Sequence, residues 1–496
     1  MKRLGGAFLA LLAMSSAAAA QDNGGSAFVR ITSDVITAFS NFVFSEVTMF
    51  GAQMPWIVVW MGAPMFFLTF YFAFINLRSF KQASKIVRGH YEDANAPGEV
   101  TQFQALSTAL SGTVGLGNIA GVAVAISIGG PGATFWMIII GLCAMSLKFA
   151  ECTLAVKYRE VRADGTVAGG PMYFLEKGLS ARGWSKFGKA LAWTYAILAF
   201  PSILQVAQVN QSFEAISFVT GFESESSAWI YGVMLAVLTA IVIIGGIKSI
   251  AGVTSKLVPL MAGIYILGAL VIILGHITEV PAAFVTIVQG AFNPEGIAGG
   301  IAGVIIIGMK RAVYSTEAGL GSASMAHAAA KTNEPVSEGM VALMEPFIDT
   351  VLVSTMTALV IVITGNYIVG EEVQGISMTS AAFGSVISWF PVVLAVAAFL
   401  FGFSTIISWG YYSSKVWEFI WGGSDRSMQI FKVVYCVLLI PGAVWSPQVV
   451  YDLMDGMFFL MAIPNIIGIY LLAPELKRDL HSYLERVKSG EIRETR

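Results

Sequence analysis

The chain has 496 residues, 56% of them hydrophobic and 12% charged, with a mean hydropathy of +0.74. A soluble domain carries about 25% charge, so a water-soluble globule is excluded. The formal net charge of −2 and the lack of any basic patch exclude nucleic acid as a partner.

Lys2 and Arg3 precede an apolar stretch, Ala7 to Met14, that is too short to span a bilayer, and Ala18-Ala19-Ala20 reads as a cleavage site. This pattern predicts a signal peptide over 1–20 and an external segment over 21–54; an uncleaved amphipathic start is the alternative. Apolar runs then predict spans near 55–77, 104–128, 132–156, 189–218, 228–246, 256–275, 297–320, 338–364, 391–413, 428–445 and 449–473, eleven in all. A hydrocarbon core of about 30 Å needs about 20 residues per helix. The expected class is therefore an all-α membrane protein in a lipid bilayer.

Basic residues orient the spans, because short cytoplasmic loops concentrate Lys and Arg. Arg78, Lys81, Lys85 and Arg88 follow the first span, the loop 157–189 is similarly basic, and 474–496 reads as a cytoplasmic tail. The segments 219–227 and 365–390 hold no basic residue and should face out. An outside N-terminus and an inside C-terminus fit an odd number of spans. With 55–77 set aside as an extra helix, 78–473 forms a ten-helix core that divides into two sets of five with opposite orientation. Carriers built on such an inverted repeat bind their ligands where the first helix of each half is interrupted.

Two stretches carry the expected interruptions. SGTVGLGNIAG, 111–121, gathers Gly112, Gly115, Gly117 and Gly121 with Ser111, Thr113 and Asn118 in one span. Glycine costs a helix about 1 kcal/mol relative to alanine. Gly117 and Gly121 also fit a GxxxG packing face, but packing alone leaves the Asn118 amide without a role. YSTEAGLGSAS, 314–324, repeats the theme with Ser315, Thr316, Glu317, Gly319 and Gly321. Lys310, Arg311 and Glu317 should face protein or water, since a charge at the bilayer centre costs about 2.5–3.5 kcal/mol. Lys310 and Glu317 fall two helical turns apart and are expected to pair.

FGFSTIISWGYY, 401–412, sets Ser404 and Thr405 one turn before Trp409. Adjacent hydroxyls and nearby carbonyls are hard oxygen ligands of the kind a small cation takes; back-bonding to the preceding turn is the alternative. Cys143, Cys152 and Cys436 have neither disulfide nor metal-site spacing, and the four histidines have no ligand spacing.

Together, VGLGNIAG, GGPGA at 129–133, GGPMYFLEKGL at 169–179, EAGLGSA at 317–323, AHAAAKT at 326–332 and FSTIISW at 403–409 resemble the alanine or glycine:cation symporter family. The resemblance covers nearly the whole mature chain. It implies a LeuT-type fold of the amino acid-polyamine-cation superfamily, a 5+5 inverted repeat with discontinuous first and sixth core helices. It further implies a sodium site formed by the carbonyls of Ser111, Val114 and Phe401 with the hydroxyls of Ser404 and Thr405. The implied amino-acid pocket is lined by Thr113, Gly117, Asn118, Gln208, Asn210, Ser315, Thr316 and Gly319, with Trp409 as a cap. Leu116 stands where many members have Thr, and Thr316 where many have Asn, so the exact substrate stays open.

The expected function is sodium-coupled import of a small neutral amino acid, alanine or glycine, across the inner membrane, with sodium as coupling ion and no enzymatic activity. A proton-coupled carrier using Glu317 or Glu151 is the nearest alternative. A membrane-embedded enzyme or channel is more remote, because the chain has no HExxH, no GxSxG elbow and no filter repeat.

Overall fold

The computed structural model describes residues 36–49, 52–222, 224–293, 300–367, 369, 375–444 and 448–495. The expected signal peptide and much of the segment 21–54 lie outside them. Among the described residues the protein is helical apart from two short hairpins, Glu46–Met49 with Ala52–Pro55 and Glu160–Val161 with Val167–Ala168.

Among the described residues, eight helices are long and apolar enough to cross a membrane, or nine when the bent pair Gln102–Thr113 and Gly117–Gly129 is taken as one span. That count does not confirm the eleven expected spans, two of which are shorter helices. The first expected span, 55–77, is the 16-residue helix Trp56–Tyr71. It stops early because the chain turns through Ala73 and Phe74 at φ of 50° and 57°, a left-handed conformation that no helix of L-residues propagates. The seventh, 297–320, is the 17-residue helix Gly300–Thr316. An unanticipated apolar helix, Val280–Phe292, lies between the sixth and seventh expected spans. At 13 residues it is too short to cross the hydrocarbon core unbent.

The first broken helix starts at a capping box. Thr101 Oγ1 accepts from the Gln104 N–H at 3.2 Å, and Gln104 Oε1 accepts from the Thr101 N–H at 3.0 Å. Its first half packs on Gly246–Gly275 and Phe390–Trp421, and its second half packs on Gly300–Thr316, which in turn lies along Gly132–Lys157. The two broken elements thus sit side by side inside the bundle, covered by longer helices. Outside the bundle, the C-terminal tail folds back on the basic segment Phe80–Val87. Lys85 Nζ donates to Glu494 Oε1 at 2.5 Å and holds that carboxyl below its ordinary pKa.

Candidate functional site

Both expected interruptions are present as breaks in helix. The first helix ends at Thr113 and resumes at Leu116 with a 43° bend. The second ends at Thr316, and the chain passes through Glu317, Gly319 and Gly321 at φ of 50°, 97° and 78° before the short helix Ser324–Ala328. Since the helix ends before Glu317, the two-turn alignment expected between Lys310 and Glu317 does not form. Glu317 Oε2 instead accepts from Ser322 Oγ at 2.9 Å.

Beside the first break, one small volume gathers four of the five residues read as sodium ligands. Thr405 Oγ1 donates to the Ser111 carbonyl at 3.0 Å, and Ser404 Oγ lies 3.4 Å from the same carbonyl and 2.9 Å from that of Phe401. Ser111 Oγ is also close to the Ser404 carbonyl at 3.2 Å and to Ser408 Oγ. Ser111, Ser404, Thr405 and Phe401 are all buried. Val114, the fifth, is buried at the end of the first half-helix, where its N–H donates to the Leu110 carbonyl. Back-bonding and convergence therefore coexist: Ser404 reaches its own preceding turn and a neighbouring helix together. The set is of hard oxygens without a carboxylate, which suits a monovalent cation better than a divalent one.

The residues read as substrate contacts fall into several groups. Asn118 and Ser315 meet on Asp349, a fully buried carboxylate in the π-helical stretch Phe347–Val353. Asn118 Nδ2 donates to the Asp349 carboxylate and, at 3.0 Å, to its carbonyl; the Ser315 and Thr350 hydroxyls each lie 2.8 Å from Asp349 Oδ2. Gln208 and Trp409 line a cavity of about 140 Å³ with Gln205, Tyr314, Glu317 and Phe458. Gly319 faces elsewhere: its N–H donates to Glu151 Oε1 at 2.5 Å, and its carbonyl accepts from Asn465 Nδ2 at 2.7 Å. Thr113 bonds back to the Ala109 carbonyl at 3.4 Å, and Thr316 Oγ1 accepts from the Ala318 N–H at 3.3 Å. A Cβ on Gly117 would meet no atom within 4 Å, so this glycine borders open space. Asn210 is half-buried and does not line the cavity.

Several residues were not legible in the sequence. Lys148 Nζ pairs with Glu345 Oε1 at 2.8 Å, His327 Nδ1 with Glu338 Oε1 at 2.6 Å, and Gln102 Nε2 donates to Glu338 Oε2 at 2.9 Å. All five side chains are buried, and they tie the start of the first broken helix to the segment after the second. The Tyr195 hydroxyl adds a bond to the Leu320 carbonyl at 2.8 Å. Asp349, Glu345 and Glu338 share one long span, where their apolar neighbours mask them.

Residues 35–496 match the sodium:alanine symporter family. The chain belongs to that family. Membership makes it a transporter and not an enzyme. It is 39% identical over 423 residues to the sodium/alanine symporter AgcS of Methanococcus maripaludis, covering 84% of this chain and 92% of that one. It is 36% identical to the amino-acid carrier protein AlsT of Bacillus subtilis, covering 86% and 88%. To the probable sodium/glutamine symporter GlnT of the same organism it is 32% identical, covering 86% and 87%. Among solved structures, MhsT in complex with L-phenylalanine superposes with a TM-score of 0.51 at 15% identity, over 74% of this chain and 88% of that one. That likeness establishes the LeuT-type fold, with which the two helix breaks agree.

Proposed function

We propose that this member of the family imports a small neutral amino acid, alanine or glycine, together with sodium across the inner membrane, with its N-terminus outside and its C-terminus in the cytoplasm. The observation that carries the reading is the convergence of the Ser404 and Thr405 hydroxyls on the Ser111 and Phe401 carbonyls at the break in the first helix. On this reading the Ser404 and Thr405 hydroxyls keep their protons and turn their oxygen lone pairs to a cation held between them and the Ser111 and Phe401 carbonyls, with the Val114 carbonyl completing the set. The amino acid occupies the space bordered by Gly117 and the cavity under Trp409. A cavity of about 140 Å³ holds about five water-sized groups, which suits a small amino acid.

The energetics are adequate. One sodium ion crossing about 100 mV releases about 2.3 kcal/mol, and a tenfold gradient adds about 1.4. Together they support accumulation of about a few hundred-fold. Sodium/alanine and probable sodium/glutamine symporters are both among the relatives; the small cavity and the indole against it favour the smaller substrate.

Proton coupling is the second reading. Glu151 Oε2 favours it, as a fully buried carboxylate oxygen that has no hydrogen-bond partner among the described residues. A proteoliposome screen of radiolabelled amino acids, with and without an inward sodium gradient, separates the two. Alanine or glycine uptake should require sodium; uptake at equal rates in sodium and choline media, driven by a pH gradient, contradicts the sodium reading.

A further inference from the structure

The cavity under Trp409 has acidic side chains in its wall. Its lining holds two carboxylates, Glu317 and Asp455, and no lysine, arginine or histidine. Asp455 is exposed, whereas Glu317 is 9% exposed and stands where the second helix breaks. Glu317 takes φ of 50°, a left-handed conformation that non-glycine residues keep only where their surroundings fix it, and such residues cluster at ligand sites. Its two oxygens differ. Ser322 Oγ holds Oε2 at 2.9 Å, while no donor meets Oε1 among the described residues, and Oε1 is not enclosed. The buried ammonium of Lys148 is committed to Glu345 at 2.8 Å. Glu317 therefore offers the cavity an anchored carboxylate with one oxygen open.

An amino acid is a zwitterion, and burial penalises both of its charges unless each meets a partner. Sodium and the N–H groups at the start of Leu116–Gly129 suit the carboxylate end. We propose that Glu317 binds the α-ammonium group of the substrate, and that Ser322 is a positioning residue holding the carboxylate toward it. The inference rests on the amino-acid reading above and deepens it. A ligand with the same carboxylate but a hydroxyl in place of the ammonium should be rejected, because it brings no positive charge to this oxygen.

The test compares alanine with lactate on the full-length protein in proteoliposomes. In the wild type, unlabelled alanine should inhibit radiolabelled alanine uptake at far lower concentration than lactate does. In Glu317→Gln, apparent alanine affinity should fall about 10- to 100-fold, as expected for loss of a charge-assisted hydrogen bond. Lactate inhibition should stay within about threefold, so the discrimination collapses, and sodium binding without alanine should be unchanged. Glu317→Asp should restore part of the discrimination. Ser322→Ala keeps the carboxylate, guards against a Glu317 variant that does not fold, and should weaken alanine alone by a smaller factor. Equal losses for alanine and lactate in these variants would reveal a merely structural role and overturn the assignment. Intact discrimination with loss of pH-driven uptake would make Glu317 a proton carrier and overturn it too. A wild-type protein that takes up no alanine sinks the transport reading itself; wild-type uptake with unaltered discrimination in Glu317→Gln sinks only the role of Glu317.

Discussion

Thr405 and Asn118 are both polar residues at the first break, yet they spend their hydrogen bonds differently. The Thr405 hydroxyl reaches the Ser111 carbonyl at 3.0 Å, while the Asn118 amide is held by Asp349. Thr405→Ala therefore removes one ligand of the proposed ion site and leaves the Asp349 network intact. Apparent sodium affinity should fall about tenfold, as for loss of a single bond to a charged group, and saturating sodium should restore most of the alanine affinity. Asn118→Ala instead strips a donor from a buried carboxylate, at a cost of about 1.5–3 kcal/mol, and excess sodium should not rescue it. Alanine binding isotherms of both variants at low and high sodium check this; rescue of Asn118→Ala alone would mean the two roles are exchanged. Asn118 was legible as functional because a lone amide in an apolar, glycine-rich stretch asks for a partner. The partner, Asp349, was not: it lies 231 residues away, and no spacing rule links the two.

At the scale of elements, the glycines divide by what surrounds them. Gly321 sits at φ of 78°, and a Cβ there would strike Pro171 and the Asn465 side chain. Gly121 lies within a helix, and a Cβ there would meet nothing within 4 Å. Gly321→Ala should destabilise the protein by about 1–3 kcal/mol through clash and backbone strain. Gly121→Ala should be neutral or stabilising by up to about 1 kcal/mol. Denaturation midpoints of the detergent-solubilised variants measure both, and a Gly321→Ala protein as stable as wild type would contradict the account of the second break. The breaks themselves were legible because glycine and hydroxyl residues interrupt apolar runs at corresponding places in the two halves. Element ends were less so. Tyr71 ends the first helix although apolar residues continue to Leu77, since hydropathy registers composition and not the backbone turn at Ala73 and Phe74.

For the whole molecule, the long-range ties explain how two broken helices persist in a bundle. Gln102, Lys148, His327, Glu338 and Glu345 form buried links between the first broken helix, the helix beside it and the segment after the second break. Breaking one partner of such a pair is far costlier than removing both, so the ties favour a few discrete arrangements over continuous bending. Family and fold were legible from motifs spread over most of the chain. The buried ties were not, because each joins positions far apart in an apolar background.

Reciprocal linkage at equilibrium tests the central claim most directly. If sodium and the amino acid bind neighbouring sites in one coupled carrier, each must raise the other's affinity by the same factor. Alanine Kd measured without and with saturating sodium, and sodium Kd measured without and with saturating alanine, should therefore change by one common factor greater than one. An alanine Kd that is the same with and without sodium would contradict the account.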